Sequence, residues 1–369
     1  MPRQSILFAA GGSGGHLFPA IAVAEELVRQ NSDLRIGIVA SDKEIDRSIL
    51  DRYPFERHHL AAVSPSRFLR QPWRVLRENW RAWQSAKQLV RERSPSVVVG
   101  CGGFASVPLV WAAIRAGVPI VLLEQNLIPG RANVWLSRWA AKVCMSFEET
   151  RTSLPASVQR RSHVAIVTGN PVRSSMLPQE SEPHRLPNQL LVLGGSQGAK
   201  HLNQAVAEWV LTCPAALKDW HLLHQTGPAD QSEIAQRYAQ VAGHLSAESV
   251  EFIVDLSVHY NTATLVIARA GATSLAELAS LGVPTVLVPL PSAARDHQTA
   301  NARWFADKGA ARMVVQSTNP QDTAIQLAAT VTPLLTNPEA RKLLARAITQ
   351  AARPHAAEDV AKMILAQLP

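Results

Sequence analysis

At 369 residues, 47% of them apolar and 18% charged, the chain is long enough for two domains with full cores, and its composition excludes a disordered or fibrous class. Cys101, Cys144 and Cys213 form no paired spacing, which argues against a disulfide framework or a cysteine zinc site and fits a reducing cytosol; no stretch approaches the roughly 18 apolar residues of a spanning helix, and the short apolar start runs into glycines rather than reading as a signal peptide. The net charge of +8 is uneven: residues 1–175 hold 23 Lys and Arg against 13 Asp and Glu, or +10, leaving 14 against 16, or −2, so the first half is expected to meet something anionic, whether phosphate, membrane or nucleic acid.

In chain order, Ser5–Ala10 reads as a strand, followed by the turn Gly11-Gly12-Ser13-Gly14-Gly15 and a helix over Leu17–Gln30. Arg35–Ala40 is a strand. Pro72–Arg93 is a long helix with proline in its first turn, Val97–Val99 a buried strand, and Gly117-Val118-Pro119 precedes the strand Ile120–Leu123. The second half repeats the scheme. Leu190–Leu193 is a strand followed by Gly194-Gly195-Ser196-Gln197-Gly198 and a helix; Trp220–Gln225 and Ser249–Ile253 read as strands; Leu265–Ala268 precedes Gly271 and the helix Thr273–Leu281; Gly282-Val283-Pro284 precedes the strand Thr285–Pro289. Short Val/Ile/Leu runs between helices predict parallel sheets covered on both faces, and the paired Gly-Val-Pro segments point to an internal duplication. Gly169-Asn170-Pro171 breaks the pattern, so the expected division is 1–167 plus a C-terminal helix 346–369 as one domain and 168–345 as the other.

Glycine turns directly behind strands, each leading into a helix, aim backbone N–H groups and a positive helix end at one spot, which suits phosphate; two such turns suggest two nucleotide-fold domains facing a shared cleft. Neither turn fits the dinucleotide fingerprint or the P-loop, so each stands as a phosphate-facing loop or a tight structural turn. His16 begins a helix, where the dipole favours neutral imidazole and a general-base role is open beside a structural one. Glu124-Gln125-Asn126 either faces a ligand or caps the next helix. Glu277 could take both hydroxyls of a ribose, yet Ser274-x-x-Glu277 also fits a capping box. Arg295-Asp296-His297-Gln298 is a further polar cluster at a strand end, suited to sugar hydroxyls. The chain has no D-x-D and no cluster with metal-ligand spacing, so no dedicated metal site or cofactor is expected.

Taken together, Gly11–Ala20, Gly102-Gly103-Phe104, Glu124-Gln125-Asn126, Gly169–Arg173, Gly194–Ala199, Arg269–Ala272 with Glu277, and Asp296-His297-Gln298 with Asn301-Ala302 resemble the MurG family of bacterial peptidoglycan glycosyltransferases, in unbroken order over about residues 5–315. The resemblance implies an α/β fold of GT-B architecture, with two Rossmann-like parallel-sheet domains facing a cleft, and transfer of N-acetylglucosamine from UDP-N-acetylglucosamine to the C4 hydroxyl of undecaprenyl-linked lipid I, giving lipid II. It implies donor contacts from Ser13, Gly14, Gly15, Asn126, Arg173, Ser196, Gln197, Gly198, Ile253, Ala272, Glu277, His297 and Gln298. Within that set Ser196 and its loop would take the diphosphate, Ile253 the uracil, Glu277 the ribose, and His297, Gln298 and Asn126 the sugar. Gly12, Gly102, Gly103 and Phe104 would lie on the acceptor side, with Ser13 also lining it, and His16 is the first choice of general base. Leu123 stands where the family often has histidine, Phe104 where tyrosine is common, and His297 where glutamine is frequent; none of these removes the reaction.

A lipid-linked acceptor calls for a docking surface. On the helix Pro72–Arg93, Trp73, Leu76, Trp80 and Trp83 share one sector, Arg74, Arg77 and Arg81 the next, and Val75, Ala82, Ala86 and Leu89 a third. The aliphatic sector suits packing on the domain, and the Trp/Arg face suits an anionic membrane, with Arg67 and Arg70 adding charge; the alternative is that all the tryptophans belong to the core. The resemblance accordingly implies a peripheral protein on the cytoplasmic face of the inner membrane, with no nucleic-acid partner. Rival readings are a UDP-N-acetylglucosamine 2-epimerase, a sugar-to-diacylglycerol transferase, and a basic non-catalytic nucleotide or nucleic-acid binder.

Overall fold

The computed structural model describes residues 4–11, 14–41, 43–60, 62, 71–178, 185–195, 198–243, 245–291 and 293–369. The chain divides into two compact units, residues 1–174 with 353–369, and residues 175–352. Both crossings fall later than the expected 167/168 and 345/346. The reason is packing. A Cβ at Gly169, whose φ is +88°, would run into the Cβ of Arg353 and come within 3.2 Å of that of Ala356. The Gly-Asn-Pro segment is therefore fastened inside the first unit, with Asn170 and Val172 buried, and does not act as a loose linker.

The first unit runs β1 (Ser5–Ala9), α1 (Gly14–Gln30), β2 (Arg35–Ala40), α2 (Glu44–Leu50), β3 (Glu56–His59), α3 (Pro72–Arg93), β4 (Val97–Gly100), α4 (Val107–Arg115), β5 (Ile120–Glu124), α5 (Arg131–Leu136), β6 (Lys142–Met145), α6 (Ala156–Gln159) and β7 (Ala165–Val167). Its seven strands form one parallel sheet in the order β3-β2-β1-β4-β5-β6-β7. Successive side chains on a strand point to opposite faces, and here both faces are buried. Ile6 and Phe8 enter one core with α1, while Leu7 and Ala9 enter another with α3 and α4. The last helix of the chain, Ala356–Leu365, contributes Val360, Ala361 and Ile364 to the α1 core.

The second unit runs β8 (Gln189–Leu193), α7 (Lys200–Thr212), β9 (His221–Gln225), α8 (Gln231–Ala239), β10 (Ser246–Val250), α9 (Leu256–Thr262), β11 (Leu265–Ala268), α10 (Ala272–Ser280), β12 (Thr285–Leu287), α11 (His297–Asp307), β13 (Arg312–Met313), α12 (Pro320–Thr336) and α13 (Pro338–Gln350); the last helix is then α14. Its parallel sheet has the order β10-β9-β8-β11-β12-β13, and Leu190, Val192, Leu222 and Ile267 pack with α7 and α12. In both units the strand order reverses beside the first strand, between β1 and β4 and between β8 and β11. Ligands of doubly wound sheets bind outside the carboxyl ends at such points.

The two Gly-Val-Pro segments are the same device. Gly117 (φ +72°) and Gly282 (φ +62°) end α4 and α10 in left-handed conformation. Val118 N–H donates to Ala113 O and Gly117 N–H to Ile114 O; Val283 N–H donates to Leu278 O and Gly282 N–H to Ala279 O. Both are Schellman caps, followed by proline leading into the next strand.

Some elements differ from the sequence reading by more than one residue. Strand β12 stops at Leu287, two residues short of the expected Pro289. Helix α1 starts at Gly14, three residues before Leu17, so His16 lies within its first turn. Strand β10 spans Ser246–Val250 rather than Ser249–Ile253, because it is registered against His221–Gln225, leaving Ile253 in the turn that follows.

Candidate active site

In the first unit the site residues gather around the carboxyl ends of β1, β4 and β5. Gly12 and Ser13 lie outside the described residues; Gly14 and Gly15 open α1. The imidazole of His16 packs over Gly102 and Gly103. A Cβ on Gly102 would stand 3.0 Å from His16 Cε1 and 3.1 Å from Nδ1, and one on Gly103 would stand 3.3 Å from both Cδ2 and Nε2. These glycines have φ of +100° and +73°, where only glycine sits without strain, and Ser106 Oγ donates to Gly103 O at 2.8 Å. Gln125 Oε1 flanks the same point over Gly102 at 3.4 Å, with its Nε2 donating to Cys101 O at 2.9 Å. The structure thus joins His16, Gly102, Gly103 and Gln125. Phe104 follows, exposed.

Glu124 turns inward. Its buried carboxylate accepts from Asn126 N (3.0 Å), Gly130 N (2.9 Å) and Asn133 Nδ2 (2.9 Å), and burial pushes its pKa up against those bonds. Since Gly130 is the N-cap residue of α5, the capping alternative holds for Glu124. Asn126 stays half-buried at the loop surface, its carbonyl accepting from Thr150 Oγ1. Arg173 belongs to this unit and stacks its guanidinium 4.0 Å above the Phe18 ring of α1. Burial raises the pKa of nearby Glu25, and the Arg173 charge partly restores it.

In the second unit Ser196 and Gln197 lie outside the described residues, but the turn that holds them is described on either side. Gly195 (φ +93°) and Gly198 (φ +76°) are left-handed, Gly198 N–H donates to Gly195 O at 3.0 Å, and a Cβ on Gly198 would collide with Thr226 O. Gly198 is thus pressed onto the end of β9 just before α7. Ile253, whose backbone groups are expected to meet uracil, is buried, and its N–H donates to Gln225 Oε1 at 3.0 Å. Beneath lies a buried polar chain. His224 Nδ1 is 2.7 Å from Tyr238 Oη and its Nε2 is 3.2 Å from Asn203 Oδ1, while Asn203 Nδ2 donates to Thr226 O and Asp230 Oδ2 at 2.8 Å each. Burial pushes the His224 pKa down to about 3, so it stays neutral.

Helix α10 starts at Ala272 with Gly271 as N-cap. Ser274 therefore lies inside the first turn, and the capping-box alternative for Glu277 falls away. Glu277 is only 4% exposed. Buried carboxylates are rare unless partnered. Arg269, to which no role was given from sequence, is also buried. Its Nη1 donates to Val288 O (3.0 Å), Pro289 O (3.3 Å) and Gln316 Oε1 (2.8 Å), and burial lowers its pKa to about 10. It braces the ends of β11 and β12, and Asn301 Nδ2 donates to Ala270 O of the same turn at 3.3 Å. His297 and Gln298 begin α11 behind Arg295 and Asp296, both left-handed at φ +57° and +56°. Two successive non-glycine residues in that region mark a strained turn. Gln298 Oε1 accepts from Leu290 N at 3.0 Å, which ties the start of α11 to the segment after β12. Among the described residues no three His, Cys, Asp or Glu side chains group as a metal site.

On α3, Trp73 is 83% exposed, Leu76 52% and Trp80 59%, while Val75, Ala82, Ala86 and Leu89 are buried. Arg74, Arg77 and Arg81 are exposed beside them, Arg74 pairing with Glu78 at 2.8 Å; Arg67 and Arg70 lie outside the described residues. Trp83 departs from the expected face. It packs against the core under α4, with Lys87 Nζ 4.7 Å above its ring. The same unit carries a second aromatic group that the sequence reading missed. The rings of Trp111, Trp135 and Trp139 cluster with centroids 4.8–5.4 Å apart, the Trp111–Trp135 pair tilted and the other two pairs edge-on, with Trp135 and Trp139 exposed. They come from α4, α5 and the turn after it, so no single sequence window contains them. No helix among the described residues is long and apolar enough to cross a membrane.

Comparison with known proteins matches residues 6–145 to the glycosyltransferase family 28 N-terminal domain and residues 189–362 to the glycosyltransferase family 28 C-terminal domain. A UDP-N-acetylglucosamine--N-acetylmuramyl-(pentapeptide) pyrophosphoryl-undecaprenol N-acetylglucosamine transferase from Myxococcus xanthus is 37% identical over 363 residues, 97% of this chain and 91% of that relative. The solved structure of Acinetobacter baumannii MurG aligns with a TM-score of 0.71 at 31% identity, covering 98% of this chain and 99% of that one. A putative UDP-N-acetylglucosamine 2-epimerase from Listeria monocytogenes aligns with a TM-score of 0.68 over 97% of this chain and 95% of that one, at 14% identity, a likeness of fold alone.

Proposed function

The chain belongs to glycosyltransferase family 28 and has the GT-B fold, and from that premise we propose that it moves N-acetylglucosamine from UDP-N-acetylglucosamine onto N-acetylmuramyl-(pentapeptide) pyrophosphoryl-undecaprenol, the lipid I of peptidoglycan synthesis, giving lipid II. The observation that carries the donor half is in the second unit. The loop Gly194–Gly198, the Ile253 backbone and the buried Glu277 follow β8, β10 and β11, at the carboxyl end of one sheet whose strand order reverses there.

The acceptor's C4 hydroxyl oxygen attacks the anomeric carbon of the donor as the bond from that carbon to the diphosphate oxygen breaks. Configuration inverts, and UDP leaves with the bonding pair. His16 takes the hydroxyl proton. This histidine lies in the first turn of α1 with its ring packed against Gly102 and Gly103. Charge on the departing diphosphate is met by backbone N–H groups of the second glycine loop and the N-terminus of α7. Glu277 accepts from the ribose hydroxyls, and His297, Gln298 and Asn126 hold the sugar.

The acceptor's lipid tail places the reaction at a membrane surface. The face of Trp73, Leu76 and Trp80 flanked by Arg74, Arg77 and Arg81 suits peripheral attachment to anionic lipid, with Trp135 and Trp139 adding interfacial aromatics on the same unit. That attachment is proposed for the cytoplasmic face of the inner membrane, where a nucleotide sugar is at hand.

The test is incubation with radiolabelled UDP-N-acetylglucosamine and lipid I in mixed micelles, with the label followed by chromatography. Label moving into the lipid fraction supports the transfer. Label found only in a free or nucleotide-linked epimer supports the epimerase reading and overturns this one.

A further inference from the structure

The carboxyl end of β9 holds a side chain that neither the motifs nor the proposed mechanism uses. Gln225 is the last residue of that strand, 3% exposed, lying between Leu193 of β8 and Val250 of β10. It hydrogen-bonds in three directions. Its backbone carbonyl faces Gly194 N–H at 3.5 Å, its Nε2 donates to Gly195 O at 3.1 Å, and its Oε1 accepts from Ile253 N–H at 3.0 Å. One buried amide thus ties the second glycine loop to the turn after β10. The neighbouring residue reinforces the arrangement, because Thr226 O is the surface against which Gly198 must lie without a side chain.

We infer that Gln225 is a positioning residue for the nucleoside diphosphate: it sets the peptide at Ile253, which faces the base, in register with the glycine loop, which faces the diphosphate. The assignment of those two segments rests on the donor reading proposed above. The chemistry of the side chain explains the choice. A neutral primary amide carries a donor and an acceptor on one planar group, and both ends are used. Leucine fills the same volume with neither. A carboxylate keeps the acceptor for Ile253 N–H but turns an oxygen toward the Gly195 carbonyl and repels it. The bridge is long-range in sequence, Gly195 to Gln225 to Ile253, so it exists only once β8, β9 and β10 are paired. Bases and diphosphates bind weakly to mobile backbone because each segment must be ordered at the moment of binding; holding both segments beforehand removes that cost.

The experiment measures UDP affinity by calorimetry, steady-state constants, ligand-free melting and amide exchange for the parent, Gln225→Leu and Gln225→Glu. In Gln225→Leu the Kd for UDP and the donor KM should rise about 10- to 100-fold, the range expected when a buried hydrogen-bonded pair is broken, with kcat at saturating donor nearly unchanged. Exchange should quicken at Ile253 and at the amides of Gly194 and Gly198, while β8 and β9 stay protected. Gln225→Glu should keep protection at Ile253, lose it at those glycine amides, and still bind UDP weakly. A purely structural role would lower the melting temperature and move all amides of the unit together. A folded Gln225→Leu protein binding UDP within twofold of the parent overturns the inference. If that variant does not fold, the same result in Gln225→Glu overturns it. Failure of the parent itself to bind UDP would instead sink the donor reading on which the inference stands.

Discussion

Replacing Gly103 by alanine tests whether backbone packing holds His16 for catalysis. Gly103 has φ +73° and ψ 163°, a region that is essentially glycine-only. Forcing alanine there costs about 1–3 kcal/mol. In a unit of this size each kcal/mol lowers the melting temperature by about 2–4 °C, so a fall of about 2–12 °C is expected. The added Cβ would also lie 3.3 Å from His16 Cδ2 and Nε2, tighter than an ordinary contact, so the ring must give by a few tenths of an ångström. A 1 Å misplacement of a catalytic group can cost about 10²-fold, so a shift of a few tenths of an ångström should lower kcat by up to about tenfold. Gly117→Ala supplies the control. Its φ of +72° carries a similar backbone penalty of about 1–2 kcal/mol, yet nothing lies within 4 Å of the new Cβ. Both variants should melt earlier, and only Gly103→Ala should turn over more slowly in single-turnover transfer to lipid I. A rise confined to acceptor KM would mean that the methyl group blocks the acceptor and leaves His16 in place. Equal turnover in the two variants would refute the idea that the Gly102-Gly103 backbone positions the imidazole.

Other expectations follow from the same geometry. Glu277→Ala should weaken UDP-N-acetylglucosamine binding by about 1.5–3 kcal/mol in calorimetry, the range for hydrogen bonds to a charged group, and unchanged affinity in a folded variant would remove its ribose role. His16→Ala should lower turnover by about 10²–10⁴ with donor affinity kept, and normal turnover would end its candidacy as base. Trp73→Ser/Trp80→Ser/Arg77→Glu/Arg81→Glu should lose co-sedimentation with anionic vesicles while remaining folded; binding equal to the parent would place the membrane surface elsewhere. His224 is neutral and buried with its pKa down to about 3, so its contribution to stability is present above the unfolded value of about 6.5 and is lost as pH falls toward 3. Between pH 7 and 5 that loss amounts to about 2 kcal/mol. Urea unfolding of the parent should show it and His224→Gln should not; parallel pH curves would refute the assignment.

Much of this architecture is written locally. Runs such as Val97–Val99 and Leu265–Ala268, with glycine turns behind Ser5–Ala9 and Gln189–Leu193, announce buried parallel strands because a few consecutive residues suffice to specify each one. The Gly-Val-Pro caps are legible for the same reason, since a left-handed residue and a following proline leave few alternatives. Where α1 begins and where β10 lies was less legible, as these limits depend on a neighbouring strand or loop. The site divides the same way. Motif order singled out His16, Glu277 and the glycine loops and left Glu124 open between a ligand and the cap of the next helix, but it carried no sign that Trp83 leaves the face it shares by helical periodicity with Trp80, or that Arg269 braces β11 against β12. Gln225 reaches Gly195 and Ile253, residues about thirty positions away on either side, only because β9 lies between β8 and β10. Helical and strand periodicity are set by the backbone of one segment, whereas the partners of a buried polar side chain are set by which strands become neighbours, and strand order is decided only when the sheet assembles.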